Sequence, residues 1–197
     1  MPERHPTSRR LIDEGLRLFV ANGAAATPIT EIERAAGLAP GSGAFYKHFR
    51  SKADLLAAAI EDVAATSATG AEIFGLLEGW TVADQARVIA RGTWSVFDAH
   101  RDLILVLTKD VAHRPDNYST EPDGWPGDGP AFATSWLTRQ IENGSIVVAD
   151  PRATALVLLD ALTAYWTQRE TEGSEPYGVD DDRFVDAWVE LVLGLTR

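Results

Sequence analysis

Apolar residues recur along this chain at the three- and four-residue intervals of helices, and no stretch alternates convincingly as a half-buried strand does. Ile12, Leu16 and Phe19 stand at i, i+4 and i+7 and predict a first helix over residues 8–22. Ile29, Ile32 and Ala36 predict a second. Thr27 is its expected cap, Pro28 its first-turn proline, and Gly37 the left-handed residue that closes it. Leu38 plugs the turn. Pro40 is placed to open a third short helix that ends in the aromatic cluster Phe45, Tyr46 and Phe49. Ser51 caps a long fourth helix from Lys52, with the apolar run from Leu55 behind it. Further helices are predicted over 82–100, 101–113, 131–143, 150–172 and 180–196. Asp150-Pro151 opens the penultimate one, and Asp180, Asp181 and Asp182 lie at the positive end of the last. Residues 113–130 hold four prolines and three glycines, and read as a loop longer than most connections. The pattern is all-α: a three-helix domain over residues 1–52 and a larger helical domain over 53–197.

Within that pattern, residues 27–52 carry the chemistry. Two short helices joined by a tight turn, small residues at 41–44 and a basic, aromatic end match a helix-turn-helix that reads double-stranded DNA. Short side chains let a backbone approach the major groove. Lysine, a tyrosine hydroxyl and helix N-terminal N–H groups hold phosphates and fix register. The candidate contacts are Thr27, Thr30, Pro40, Gly41, Ser42, Gly43, Tyr46, Lys47, His48 and Lys52. An ordinary helical hairpin with solvated basic residues is the competing reading, and for Phe45 and Phe49 a core position is preferred outright.

Net charge complicates this picture, then supports it. The chain carries −11 overall. Residues 1–53 hold eight Lys/Arg against five acids, whereas the remainder holds ten against twenty-four. Polyanion binding depends on the local surplus, and an acidic body leaves the basic end as the approach of least repulsion. At 45% hydrophobic residues the chain can bury a core. Without cysteine it has neither a disulfide scaffold nor a thiolate metal site. Its polar start and the lack of a long apolar run predict a cytoplasmic protein with no membrane partner. Asp110 and His113 share a helix face, but two ligands make no metal site. No nucleophile elbow, paired acid and base, or dinucleotide fingerprint is present, so neither an enzyme nor a cofactor is predicted.

The first fifty or so residues resemble the amino-terminal domain of the TetR family of transcriptional repressors. That family's first helix ends in an aromatic, a short polar stretch and Gly, matched by Phe19 to Gly23. Its second helix has the form T-x-x-x-x-I-x-x-x-A-G, matched by Thr27, Ile32, Ala36 and Gly37. The third ends in Y-x-x-F-x-S-K, matched by Tyr46, Phe49, Ser51 and Lys52. Three departures stand out. The interval from Gly37 to Tyr46 is two residues longer than the commonest pattern. Glu33 replaces a packed alanine and is expected to turn outward or pair with a basic residue. Pro28 replaces a hydroxyl residue.

The resemblance implies a homodimeric, ligand-responsive regulator, released from a palindromic operator by a small molecule, and the six tryptophans suit an apolar or aromatic one. Phe184, Trp188, Leu191 and Leu195 form a stripe on the last helix, wider than one neighbour needs. With Leu158, Leu162 and Tyr165 it is assigned to the interface between copies. Trp94, Phe97, Leu103, Leu107, His113, Phe132, Trp136 and Trp166 are the candidate pocket lining; packing in an ordinary core is the competing reading for each. A helical carrier or enzyme with a vestigial DNA module is the alternative function.

Overall fold

A computed structural model describes residues 5–66, 70–109 and 129–196. The helices among these are α1 (Pro6–Asn22), α2 (Ile29–Ala35), α3 (Lys52–Thr66), α4 (Gly70–Leu77), α5 (Val82–Ala99), α6 (Arg101–Lys109), α7 (Gly129–Glu142), α8 (Pro151–Glu172) and α9 (Asp181–Leu193). Single 3-10 turns occupy Phe45–Lys47 and Pro176–Gly178. Among the described residues the only extended pairing is an isolated bridge from Ile146 to Thr196. Asp110, His113 and the predicted loop after it fall outside the described residues, except that Gly129 and Pro130 begin α7.

Contacts divide the chain into two compact units. The first gathers α1, α2, α3 and α6. Leu11, Ile12, Phe19, Ile32, Phe45, Phe49, Leu55 and Leu56 form its core, joined by Leu103, Val106 and Leu107 from α6. Gly15 permits the closest approach: a Cβ there would meet Leu55 Cδ1 at 3.0 Å. Local signals define the boundaries. The His5 ring caps α1 by accepting from the Thr7 amide at 3.2 Å. Gly37 takes φ +74°, and α2 ends with Leu38 N–H on the Glu33 carbonyl and Gly37 N–H on that of Arg34, which satisfies its last acceptors. Ser51 caps α3 by accepting from the Asp54 amide at 3.0 Å.

The second unit is built on α8, which packs along α7 and also meets α5, itself packed along α9. Asp150 caps α8 through the Ala153 amide and Asp180 caps α9 through the Arg183 amide, both where the sequence placed them. Two indoles anchor neighbours to α8: Trp94 donates to the Leu162 carbonyl at 3.0 Å and Trp188 to that of Leu158 at 2.9 Å. Beside them runs a polar chain. Arg169 bonds Asp181 at 2.6 Å and Asp98 at 3.0 Å, and Asp98 also accepts from the Trp166 indole at 2.7 Å. The Tyr165 hydroxyl lies 2.8 Å from the Val179 carbonyl and 3.1 Å from Asp181. Burial first, then the bond and charge of Asp181, push this phenol up to about 12.

Two consequences are measurable. Ile32 is fully buried in the first core, whereas Thr30 on the same helix is exposed. In urea unfolding of the full chain, Ile32→Ala should cost roughly 2–5 kcal/mol and Thr30→Ala no more than about 0.5 kcal/mol; equal costs would contradict this placement. Tyr165 ionises more readily in the unfolded chain, near its ordinary 10.0, than in the folded one. Its contribution to stability is therefore complete below pH 10 and is lost as pH rises towards 12. Phenolate absorbance should show one late-titrating tyrosine that Tyr165→Phe removes; a titration unchanged by the substitution contradicts the assignment.

Candidate nucleic-acid interface

Past Gly37 the chain does not form the second helix of the predicted motif. Residues 38–44 run as turns and bends, with Gly41 at φ +77° and Gly43 at φ +73°, and the helical geometry that follows is the single turn Phe45–Lys47. The physical reason is local. Two left-handed glycines within three positions interrupt right-handed winding. A side chain from α2 also takes up two of the segment's amides. Glu33, which the sequence suggested would face outward or pair with a basic residue, is instead 1% exposed. Its Oε2 accepts from the Gly41 N–H at 2.6 Å and its Oε1 from the Phe45 N–H at 3.1 Å.

Around this clamp the aromatic cluster splits as expected between core and surface. Phe45 and Phe49 are buried with ring centroids 5.7 Å apart, while Tyr46, edge-on to Phe45, is 61% exposed. Lys47 is exposed; His48 is half-buried, its ring centroid 5.6 Å from that of His5. Sequence reasoning missed His5 at this position, since nothing local ties a residue before α1 to residue 48. Thr30, Pro40, Gly41 and Ser42 are exposed and Gly43 is half-buried. Arg34 and Arg50, also exposed, add charge, and among the described residues neither they nor Lys47 enter an ion pair.

Two candidate contacts are placed elsewhere. Thr27 is fully buried, and its hydroxyl donates to the Gly23 carbonyl at 2.8 Å, with that of Leu18 at 3.4 Å. It therefore does not cap α2, whose N-cap is Pro28 without a side-chain bond, and it offers nothing to a phosphate. A hydroxyl this close to the Gly23 carbonyl donates its one proton there and is turned away from the start of the next helix. Lys52 is half-buried, and its ammonium reaches back to the Ala24 carbonyl at 2.5 Å, tying the turn after α1 to the start of α3.

The described residues expected to line a ligand cavity divide between the two units. Leu103 and Leu107 belong to the first unit's core. In the second unit, Trp94 stacks on Tyr165 with centroids 5.1 Å apart, and Phe97 meets Trp166 edge-on at 5.4 Å. Trp136 donates to the Gln85 side chain at 2.8 Å, and Phe132 stacks on Phe74 at 5.1 Å. Of this set Phe97 and Trp166 pack on each other, and Trp94, Trp136 and Phe132 on other neighbours within the second unit. An open depression of about 570 Å³ lies instead against Trp80, Asp84, Arg87 and Val88. Burial lowers the His100 pKa.

The stripe assigned to a partner copy also turns largely inward. Leu158, Leu162, Tyr165 and Trp188 are buried, and Phe184 and Leu195 are half-buried, Phe184 stacked on Tyr165 at 4.1 Å. Of the predicted set, Leu191 alone is fully open, at 64%. Leu156 and Val157 on α8, which sequence reasoning passed over, are exposed at 53% and 68%.

Comparison with known proteins gives the geometry a family. Residues 11–59 match the tetR family of bacterial regulatory proteins. No curated protein matches the chain by sequence. Solved structures are similar over nearly the whole length. The fatty acid degradation regulator FadR of Bacillus halodurans is 18% identical, with 98% of this chain and 97% of that one covered and a TM-score of 0.72. FadR of Bacillus subtilis in complex with stearoyl-CoA is 17% identical, with 96% and 99% covered and a TM-score of 0.70. Reduced NemR of E. coli is 20% identical, with 98% of each chain covered and a TM-score of 0.66. At these identities the likeness establishes the fold. From residue 11 to residue 59 the chain thus matches the tetR family of bacterial regulatory proteins, and over its described length it has the all-helical fold of these solved regulators.

Proposed function

We propose that this protein is a homodimeric transcriptional repressor that grips a palindromic DNA site and is released by a small apolar molecule. The observation that carries the reading is the segment Pro40–Lys47. It holds Ser42, Tyr46 and Lys47 in solvent on a backbone anchored by buried Phe45, Phe49 and Glu33. An exposed tyrosine and an unpaired lysine on a rigid turn suit phosphate contact; small residues beside them suit close approach to base edges. Thr30 remains a candidate phosphate contact at the start of α2, and His48 a partial one.

The partner we assign is a second copy. Leu156, Val157 and Leu191 leave apolar surface on α8 and α9 after the second unit has filled its own core. Two reading heads related by a twofold axis would match half-sites about one or more helical turns apart. For the effector, the fold shared with a stearoyl-CoA-bound regulator favours an apolar ligand. Its binding requires the packed aromatic residues of the second unit to separate, which would couple occupancy to conformation.

Lys47→Ala should weaken retention of any duplex and lower the slope of log affinity against log salt by about 0.9 per head, about 1.8 for the dimer. The measurement is fluorescence anisotropy with a random-sequence duplex at several salt concentrations; an unchanged slope counts against phosphate contact. Leu191→Glu combined with Val157→Glu should convert a dimer to a monomer in sedimentation velocity while leaving the helical circular-dichroism signal intact. A wild-type protein that sediments as a monomer at micromolar concentration would remove the twofold reading.

A further inference from the structure

Buried carboxylates are expensive, and Glu33 is placed where its charge is least welcome. It lies in the last turn of α2, at the negative end of the helix, and among the described residues no cation pairs with it. Its compensation comes from two charge-assisted bonds to backbone amides eight and twelve residues on. Those two amides bracket Gly41–Ala44, the stretch with two left-handed glycines and no helical ladder of its own. Ser42 is the one side chain between Pro40 and Phe45 that can hydrogen-bond. A reader with so little side-chain chemistry depends on where its backbone sits.

We propose that Glu33 is a positioning residue for sequence discrimination: its carboxylate, bonded to the Gly41 and Phe45 amides, fixes the Gly41–Ala44 loop in the register from which it meets base edges. Lys47, Arg34 and Arg50 supply the part of binding that is blind to sequence, and none of them is tied to Glu33. The two departures noted in the sequence, an acid at position 33 and a lengthened turn, are on this view one device. The extra loop residues need an anchor, and the acid is the anchor.

The inference rests on the DNA-binding reading, and the test separates the two. A duplex is selected by the wild-type protein from a random-sequence library, and its affinity is compared with that of a scrambled duplex of equal length. Glu33→Ala and the near-isosteric Glu33→Gln are then measured on both, with thermal melting as a check on folding. Amide hydrogen exchange of Gly41 and Phe45 is followed in the full chain. The expected result is a loss of about 10- to 100-fold on the selected duplex, a change under about twofold on the scrambled one, and faster exchange at both amides. The glutamine variant, which keeps one acceptor, should fall between wild type and alanine. Equal losses on both duplexes would reduce Glu33 to a structural role and overturn the proposal, as would unchanged discrimination with either variant. A wild type that shows no preference for any duplex would overturn the DNA-binding reading itself, and the inference with it.

Discussion

A carboxylate removed from water must be given donors, and in the first unit that requirement shapes everything past α2. Glu33 has Gly41 on one oxygen and Phe45 on the other. With both oxygens occupied, the intervening residues are held as a closed loop. Phe45 is delivered into the core at 0% exposure, and Tyr46, its neighbour in sequence, is necessarily turned out. The surface chemistry of this end of the molecule is thus downstream of a buried interaction. Charge-assisted bonds of this type are roughly twice as strong as neutral ones, which allows seven residues of turn to stay ordered without a helical ladder.

Much of this architecture was legible in the sequence because it rests on local chemistry. Gly37 closes α2 in the left-handed conformation; Ser51, Asp150 and Asp180 cap the helices they precede. Each such signal acts within three or four residues, the range over which sequence patterns are informative. What escaped was decided at longer range. Thr27 sits where a cap belongs, yet its hydroxyl is bound to carbonyls at the end of α1, nine and four residues back. Glu33 reads as an ion-pair candidate because side chains, not loop amides, are what a sequence displays. Its signal was nonetheless present: an acid where a small residue packs, coupled to a turn two residues longer.

The second unit shows a different limit. Periodicity identifies which face of a helix is apolar without saying what covers it. The stripe on α9 is wide because Trp188 reaches to the Leu158 carbonyl while Phe184 stacks on Tyr165, so two kinds of contact broaden a face that one chain can bury. The tryptophans that suggested a cavity have found donors' partners: Leu162 for Trp94, Gln85 for Trp136, Asp98 for Trp166. An indole whose N–H is satisfied is held by that bond, so a ligand entering here must displace it. α4 went unpredicted because GAEIFGLL is only 8 residues long and holds a single charged residue, too short a run to fix a period.

These two limits meet in the energetics of the proposed function. Three exposed and unpaired cations, Arg34, Lys47 and Arg50, accompany the loop in one head. Each phosphate neutralised contributes about 0.9 to the salt slope, so a single head has a weak sequence-blind grip, opposed at longer range by fourteen net negative charges over the rest of the chain. Joining two heads turns the second encounter into an intramolecular one, and avidity then rises by about 10²–10⁴ without a new contact. A protein built this way gains affinity from pairing and discrimination from loop register. The exposed apolar residues of α8 and α9 and the buried acid of α2 therefore answer separate halves of the same requirement.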